Sequence, residues 1–110
     1  MATRGYRKQS LASTTSAVAW AITYGDDFQT HAITLSINTA PTSAGNITVH
    51  LNGATGPVLR TIDPVSTSAT SVSIENLPGV ANGDNLYVKY ANPDNRTITG
   101  IAVADIDSEG

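Results

Sequence analysis

The sequence predicts an all-β fold, an antiparallel β-sandwich or jelly-roll-like domain of seven to eight short strands with an extended N-terminal arm. Three observations lead there. Apolar residues alternate with period two along most of the chain, and no stretch holds a 3.6-residue period. Turn residues such as Asn52-Gly53, Asp63-Pro64, Asn82-Gly83 and Asn92-Pro93-Asp94-Asn95 punctuate the runs, at the roughly 8–12-residue spacing of all-β domains. Charged residues make up only 14% of the 110 residues, and Ser, Thr and Asn supply the polarity instead. That composition suits strands and is far from that of a solvated helical protein.

Residues 1–15 are basic, rich in Ser and Thr and without periodicity. They read as an extended arm. The sandwich is expected over 16–106 and an acidic tail over 107–110. In the first strand Val18, Trp20, Ile22 and Tyr24 face one way and Ala17, Ala19, Ala21 and Thr23 the other, until Gly25-Asp26-Asp27 breaks the run. His31–Asn38 turns Ile33, Leu35 and Ile37 inward. The loop over 40–45 leads to Asn46–Asn52, with Ile47, Val49 and Leu51 inward. Asn52-Gly53 is a strong turn signal, because both residues tolerate a positive φ. Val58–Ile62 is a short strand stopped by Asp63-Pro64. Residues 65–71 read as loop or edge, and Ser71–Glu75 as a strand with Val72 and Ile74 inward. After Asn82-Gly83, Leu86, Val88 and Tyr90 alternate inward. The last strand runs from Ile98 to Ile106, where Gly100 marks a bulge or a close approach.

The turn at 92–95 follows from backbone chemistry. Pro93 suits the second position of a type I turn, and Asn92 the first, where its side chain bonds the backbone ahead. Asn95 then falls where the hairpin needs a left-handed residue.

The net charge of −3 is unevenly placed. Arg4, Arg7 and Lys8 make the start basic, and Asp105, Asp107 and Glu109 make the end acidic. This is not the basic field that nucleic-acid binding needs. There are no cysteines, which excludes disulfides, cysteine-ligated zinc and thiol chemistry. The apolar run Ala17–Ile22 is too short to span a bilayer. The start has no apolar core of a secretory signal, so synthesis in a cytoplasm is expected, with no membrane partner.

Candidate chemistry is sparse. Asp84, Asn85, Asp94 and Asn95 offer oxygens, but at opposite ends of one strand, roughly 17–20 Å apart, so they cannot surround one calcium ion. Asp26-Asp27 and Asp105 with Asp107 are weaker candidates. His31 and His50, the two histidines, both fall on outward positions, and no nucleophile elbow accompanies them. A non-enzyme without cofactor or metal is expected. The two glycosylation-type triplets, at 46–48 and 95–97, are read as chance matches in a Thr-rich chain. For sugar binding Tyr87, outward beside Lys89, is the one plausible platform. The arm has two readings. It is a solvated tail, or it lies across a neighbouring subunit, anchored by Arg4, Tyr6, Arg7 and Lys8 with Leu11, and complemented between subunits by the acidic end.

Three stretches carry a resemblance. Thr34–Val49, in which a strand runs into Ala-Pro-Thr-Ser, a short loop and a second strand, is similar to small tailed-phage virion proteins. So are Gly83–Thr97 and the opening Gly5-Tyr6-Arg7-Lys8. The acidic tail and Ala44-Gly45 depart from that pattern. The resemblance implies a β-sandwich virion component on the capsid exterior, a decoration or cement protein. Its expected partners are the major capsid protein and copies of itself, with a trimer favoured. The alternative is a carbohydrate-binding head or tail appendage.

Overall fold

The computed structural model describes residues 2–24 and 27–109, with side chains over 7–24 and 27–106. Among the described residues nine strands form two antiparallel sheets, and there is no helix. They are β1 (Ala2–Thr14), β2 (Val18–Ile22), β3 (Asp27–Ile37), β4 (Ile47–Leu51), β5 (Val58–Ile62), β6 (Ser71–Glu75), β7 (Gly79–Val80), β8 (Leu86–Tyr90) and β9 (Ile98–Glu109). The first sheet has the order β1-β9-β3-β6, with β7 also on β3; the second has the order β2-β8-β4-β5. The all-β sandwich read from the sequence is therefore the fold, with nine strands rather than seven or eight. The added strands are β1 and the two-residue β7.

The core lies between the sheets, where the alternation put it. Val18, Trp20 and Ile22 of β2, Leu86, Val88 and Tyr90 of β8, and Ile47 and Val49 of β4 face Ile33, Leu35 and Ile37 of β3, Val72 and Ile74 of β6, and Ile98, Ala102, Ala104 and Ile106 of β9. All are buried. Tyr24 and Leu51 are only half-buried, at the margin of this core.

Two irregularities shape the first sheet. Opposite β9 the register of β3 slips between Thr30 and Ala32, so His31 is an extra residue. The bulge reverses the parity of the strand. Phe28 and Thr30 point inward before it, and Ile33, Leu35 and Ile37 after it. That is why the sequence shows β3 only from His31 onward. The second irregularity is a slip in β1 between Leu11 and Thr14, beside Gly100. A Cβ on Gly100 would stand 2.6 Å from Cζ3 of Trp20 and 3.1 Å from Cδ1 of Leu11. Gly100 thus marks a close approach, with the bulge on the neighbouring strand.

Residues 2–14 are extended along β9, from Ala2 opposite Glu109 to Thr14 opposite Ile98. The basic start and the acidic end meet as neighbouring strands of one chain, with Arg4 across from Asp107. Residues 64–68 form turns, so the stretch read as loop or edge is loop. The Asp63 carboxylate accepts from the N–H groups of Val65 and Ser66, and the Ala69 N–H bonds the Pro64 carbonyl. The long strands draw the molecule out to 49 × 24 × 21 Å.

Candidate functional site

The densest polar network lies at the end of the sandwich where β9 begins, and the 92–95 turn is its centre. The Asn95 N–H bonds the Asn92 carbonyl at 3.0 Å, closing the turn that the sequence indicates. Asn95 has a φ of 51°. Asn92 also has a positive φ, 53°, which the turn alone does not require. Its side chain supplies the reason. Buried at 2% exposure, it donates from Nδ2 to the carbonyls of Ser16 and Arg96, both at 2.9 Å, and accepts the Arg96 N–H on Oδ1 at 2.9 Å. One amide thus joins the β1–β2 link to the β8–β9 turn. Asn95 adds a bond from Nδ2 to the Thr15 carbonyl.

Asp94 ties in the third segment. Its Oδ2 accepts the N–H groups of Thr42 and Ser43 at 2.8 Å each, and its Oδ1 the Ser43 hydroxyl at 2.6 Å. The Ser43 hydroxyl first, then the two N–H groups, hold the carboxyl at about 2. All of these donors favour the charged form. Arg96 reaches the Ala40 carbonyl, and Asn38 pairs with Thr97 through backbone and side chain. The stretches 34–49 and 83–97 are therefore one physical unit. Sequence reasoning treated Asp94 as a turn residue only, because its partners lie about fifty positions away.

A second clasp holds the other end of β8. Asn52 donates from Nδ2 to Asp84, and its Oδ1 accepts the Asn85 N–H. Asn52 and Gly53 have φ values of 61° and 98°, and Gly83 one of 96°, as their turns demand. Asp84 and Asp94 are thus separated by the length of β8 and bound to different loops. Among the described residues no group of three or more His, Asp or Glu could hold a metal ion. Gly25 and Asp26 lie outside the described residues, and with them part of the Asp26-Asp27 pair and of the break read there.

The histidines lie in different sheets. His31, exposed on its bulge, meets Asp105 at 2.9 Å. His50 corrects the sequence reading. It stands on the outer side of β4 as expected, yet it is buried, because the loop after β4 folds over it. Its Nδ1 lies 2.9 Å from the Gly56 carbonyl and its Nε2 2.8 Å from Oγ1 of Thr48. A carbonyl only accepts, so Nδ1 carries a proton and donates it to Gly56, while the Thr48 hydroxyl closes the other side of the ring. Both ring nitrogens are engaged in holding structure.

The remaining candidates are scattered. Tyr87 is half-buried on the outer face of the second sheet, between Ala21 and His50. Arg7 and Lys8 are exposed on β1, and the side chains of Arg4 and Tyr6 lie outside the described residues. The arm residues stand at the end of the first sheet opposite the Asn92 network. A shallow cleft of about 320 Å³ opens near them, lined by residues of β3, β7 and β9 that include Asp27, Gln29 and Asp105. Two of its polar groups are already used. Asp27 accepts the Asn82 N–H at 2.7 Å, and Gln29 donates to the Leu77 carbonyl.

Compared with known proteins, the chain matches no family model and no curated protein.

Proposed function

We propose that this chain is a structural, non-enzymatic protein of a tailed-phage particle, a decoration or cement protein on the outer capsid shell. It would act as a homo-oligomer, with a trimer favoured, that buries surface between neighbouring major capsid subunits and so resists the pressure of packaged DNA. The observation that carries the reading is the bond set of Asp94. The stretches that resemble phage virion proteins, 34–49 and 83–97, are joined through Asp94, Thr42 and Ser43. The residues behind the likeness are thus ones that build the scaffold. The polar side chains with candidate chemistry are also engaged in structure, His50 and Asp84 among them.

Mass spectrometry of purified particles with copy number tests this. Hundreds of copies per particle support decoration, a dozen or fewer point to collar or tail, and none ends the virion reading. The alternative, a carbohydrate-binding appendage, rests on Tyr87 in its row with Ala21 and His50. Saturable glycan binding by the monomer, lost in Tyr87→Ala, would favour it over cement.

A further inference from the structure

We infer that the free edge of β1 over residues 7–11 is a strand-docking site for an extended acidic segment of a partner protein. Among the described residues the sandwich has five edge strands, β1, β6 and β7 in one sheet and β2 and β5 in the other. Three of them have five residues, β7 has two, and β1 has thirteen. In an antiparallel ladder every second residue turns its N–H and C=O away from its neighbour. On β1 these groups point away from β9, and among the described residues they make no backbone hydrogen bond to any other element. No proline interrupts the strand, and its one bulge comes after Leu11. A long, regular, unpaired edge is a template for another strand.

Charge selects the occupant. Arg7 is opposite Ala104 and so lies on the inner side of the ladder, while Lys8, opposite Val103, lies on the outer side. Both are exposed, and neither forms an ion pair among the described residues. A docked strand with two adjacent carboxylates would meet one cation on each face. β9 already follows this pattern on the other flank, where Arg4 stands across from Asp107. A second copy's β1 is the wrong partner. It would bring Arg4, Arg7 and Lys8 of both chains onto one seam without an acid, and like charges across a ladder repel. The same cations that discourage self-pairing favour an acidic strand.

This inference deepens the capsid-binding reading by naming the partner's chemistry and rests on it for the partner's identity. Its test uses no capsid, so the two can fail separately. The probes are the capped peptides Thr-Val-Thr-Asp-Glu-Thr-Val-Thr and Thr-Val-Thr-Lys-Lys-Thr-Val-Thr. Amide hydrogen exchange is followed on the full chain. The acidic peptide should slow exchange of alternate amides within 7–11, about tenfold at ten times its Kd, and the basic peptide should not. High salt should weaken the effect. The double variant Arg7→Glu/Lys8→Glu should reverse the preference, and Arg7→Gln/Lys8→Gln, which avoids new acids beside β9, should abolish it. Far-UV circular dichroism checks both folds. No protection of β1 by either peptide overturns the inference, as does equal protection by both. Protection without peptide, accompanied by dimers in sedimentation, overturns it in favour of a second copy.

Discussion

Replacing Gly100 by Ala should destabilise the sandwich through one contact. The added methyl would lie 2.6 Å from Cζ3 and 3.0 Å from Cη2 of Trp20, and 3.1 Å from Cδ1 of Leu11. Carbon atoms rest at about 3.5–4.0 Å, so the indole must retreat by roughly 1 Å. Trp20 is 7% exposed and Leu11 6%, which leaves neither an open side to move into. Overpacking of this kind costs about 1–3 kcal/mol. Against it stands the reduced freedom of the unfolded chain when Gly becomes Ala, worth about 0.4–1 kcal/mol at a compatible backbone. The net loss expected is about 1–2 kcal/mol, or a fall in Tm of roughly 4–12 °C for a domain near this size. Urea denaturation read by the fluorescence of the single tryptophan measures it. A double-mutant cycle with Trp20→Leu, followed by circular dichroism, isolates the cause. Without the indole, Gly100→Ala should lose most of its cost. A Gly100→Ala protein as stable as the parent, or one whose loss is unchanged in the Trp20→Leu background, would refute the steric argument.

Asn92→Ala should cost about 3–4 kcal/mol, from three buried hydrogen bonds at about 1 kcal/mol each and an alanine held at positive φ. Asn92→Gly, which accepts that φ, should recover about 1 kcal/mol of this in the same melt. Asn95→Val should cost about 1–2 kcal/mol, since a β-branched residue resists a φ of 51°; an unchanged thermal midpoint would mean that the turn tolerates another register. The Asp94 carboxyl is held at about 2, below its ordinary 3.8. A depressed carboxylate stabilises the fold fully above the unfolded value and loses that contribution as pH falls through the folded one. Stability should therefore drop between about pH 4 and pH 2, and Asp94→Ala should flatten that part of the urea-midpoint profile.

Strands whose inner face is covered by the opposite sheet were legible. β2 and β8 keep unbroken alternation, and their inward residues are the buried ones; β4 does so through Ile47 and Val49, before outward His50 is covered as well. β3 was half-legible because the bulge at His31 shifts the period midway, hiding Phe28 and Thr30 from any test of strict alternation. β1 shows no period because Leu11 is its one buried apolar side chain among the described residues. A strand held by its backbone leaves little trace in side-chain pattern. The clasps were invisible for another reason. Asn92 and Asp94 read correctly as turn formers, but Ser16, Thr42 and Ser43 reach them only through the fold. His50 was placed on the correct side of its strand and still misread, because Gly56 closes over it from a loop whose path the sequence does not specify.

The antiparallel pairing of β1 with β9 has a mechanical consequence. Ala2 and Glu109 stand opposite each other at one end of the first sheet. A pull applied between them loads the ladder one pair at a time, so β1 would peel from β9 in the manner of a zipper, at low force. A pull between residue 2 and the far end of β9, near Ile98, acts along the strands. It must shear the whole ladder at once. The same domain is thus compliant to tension across its paired termini and stiff along its 49 Å axis.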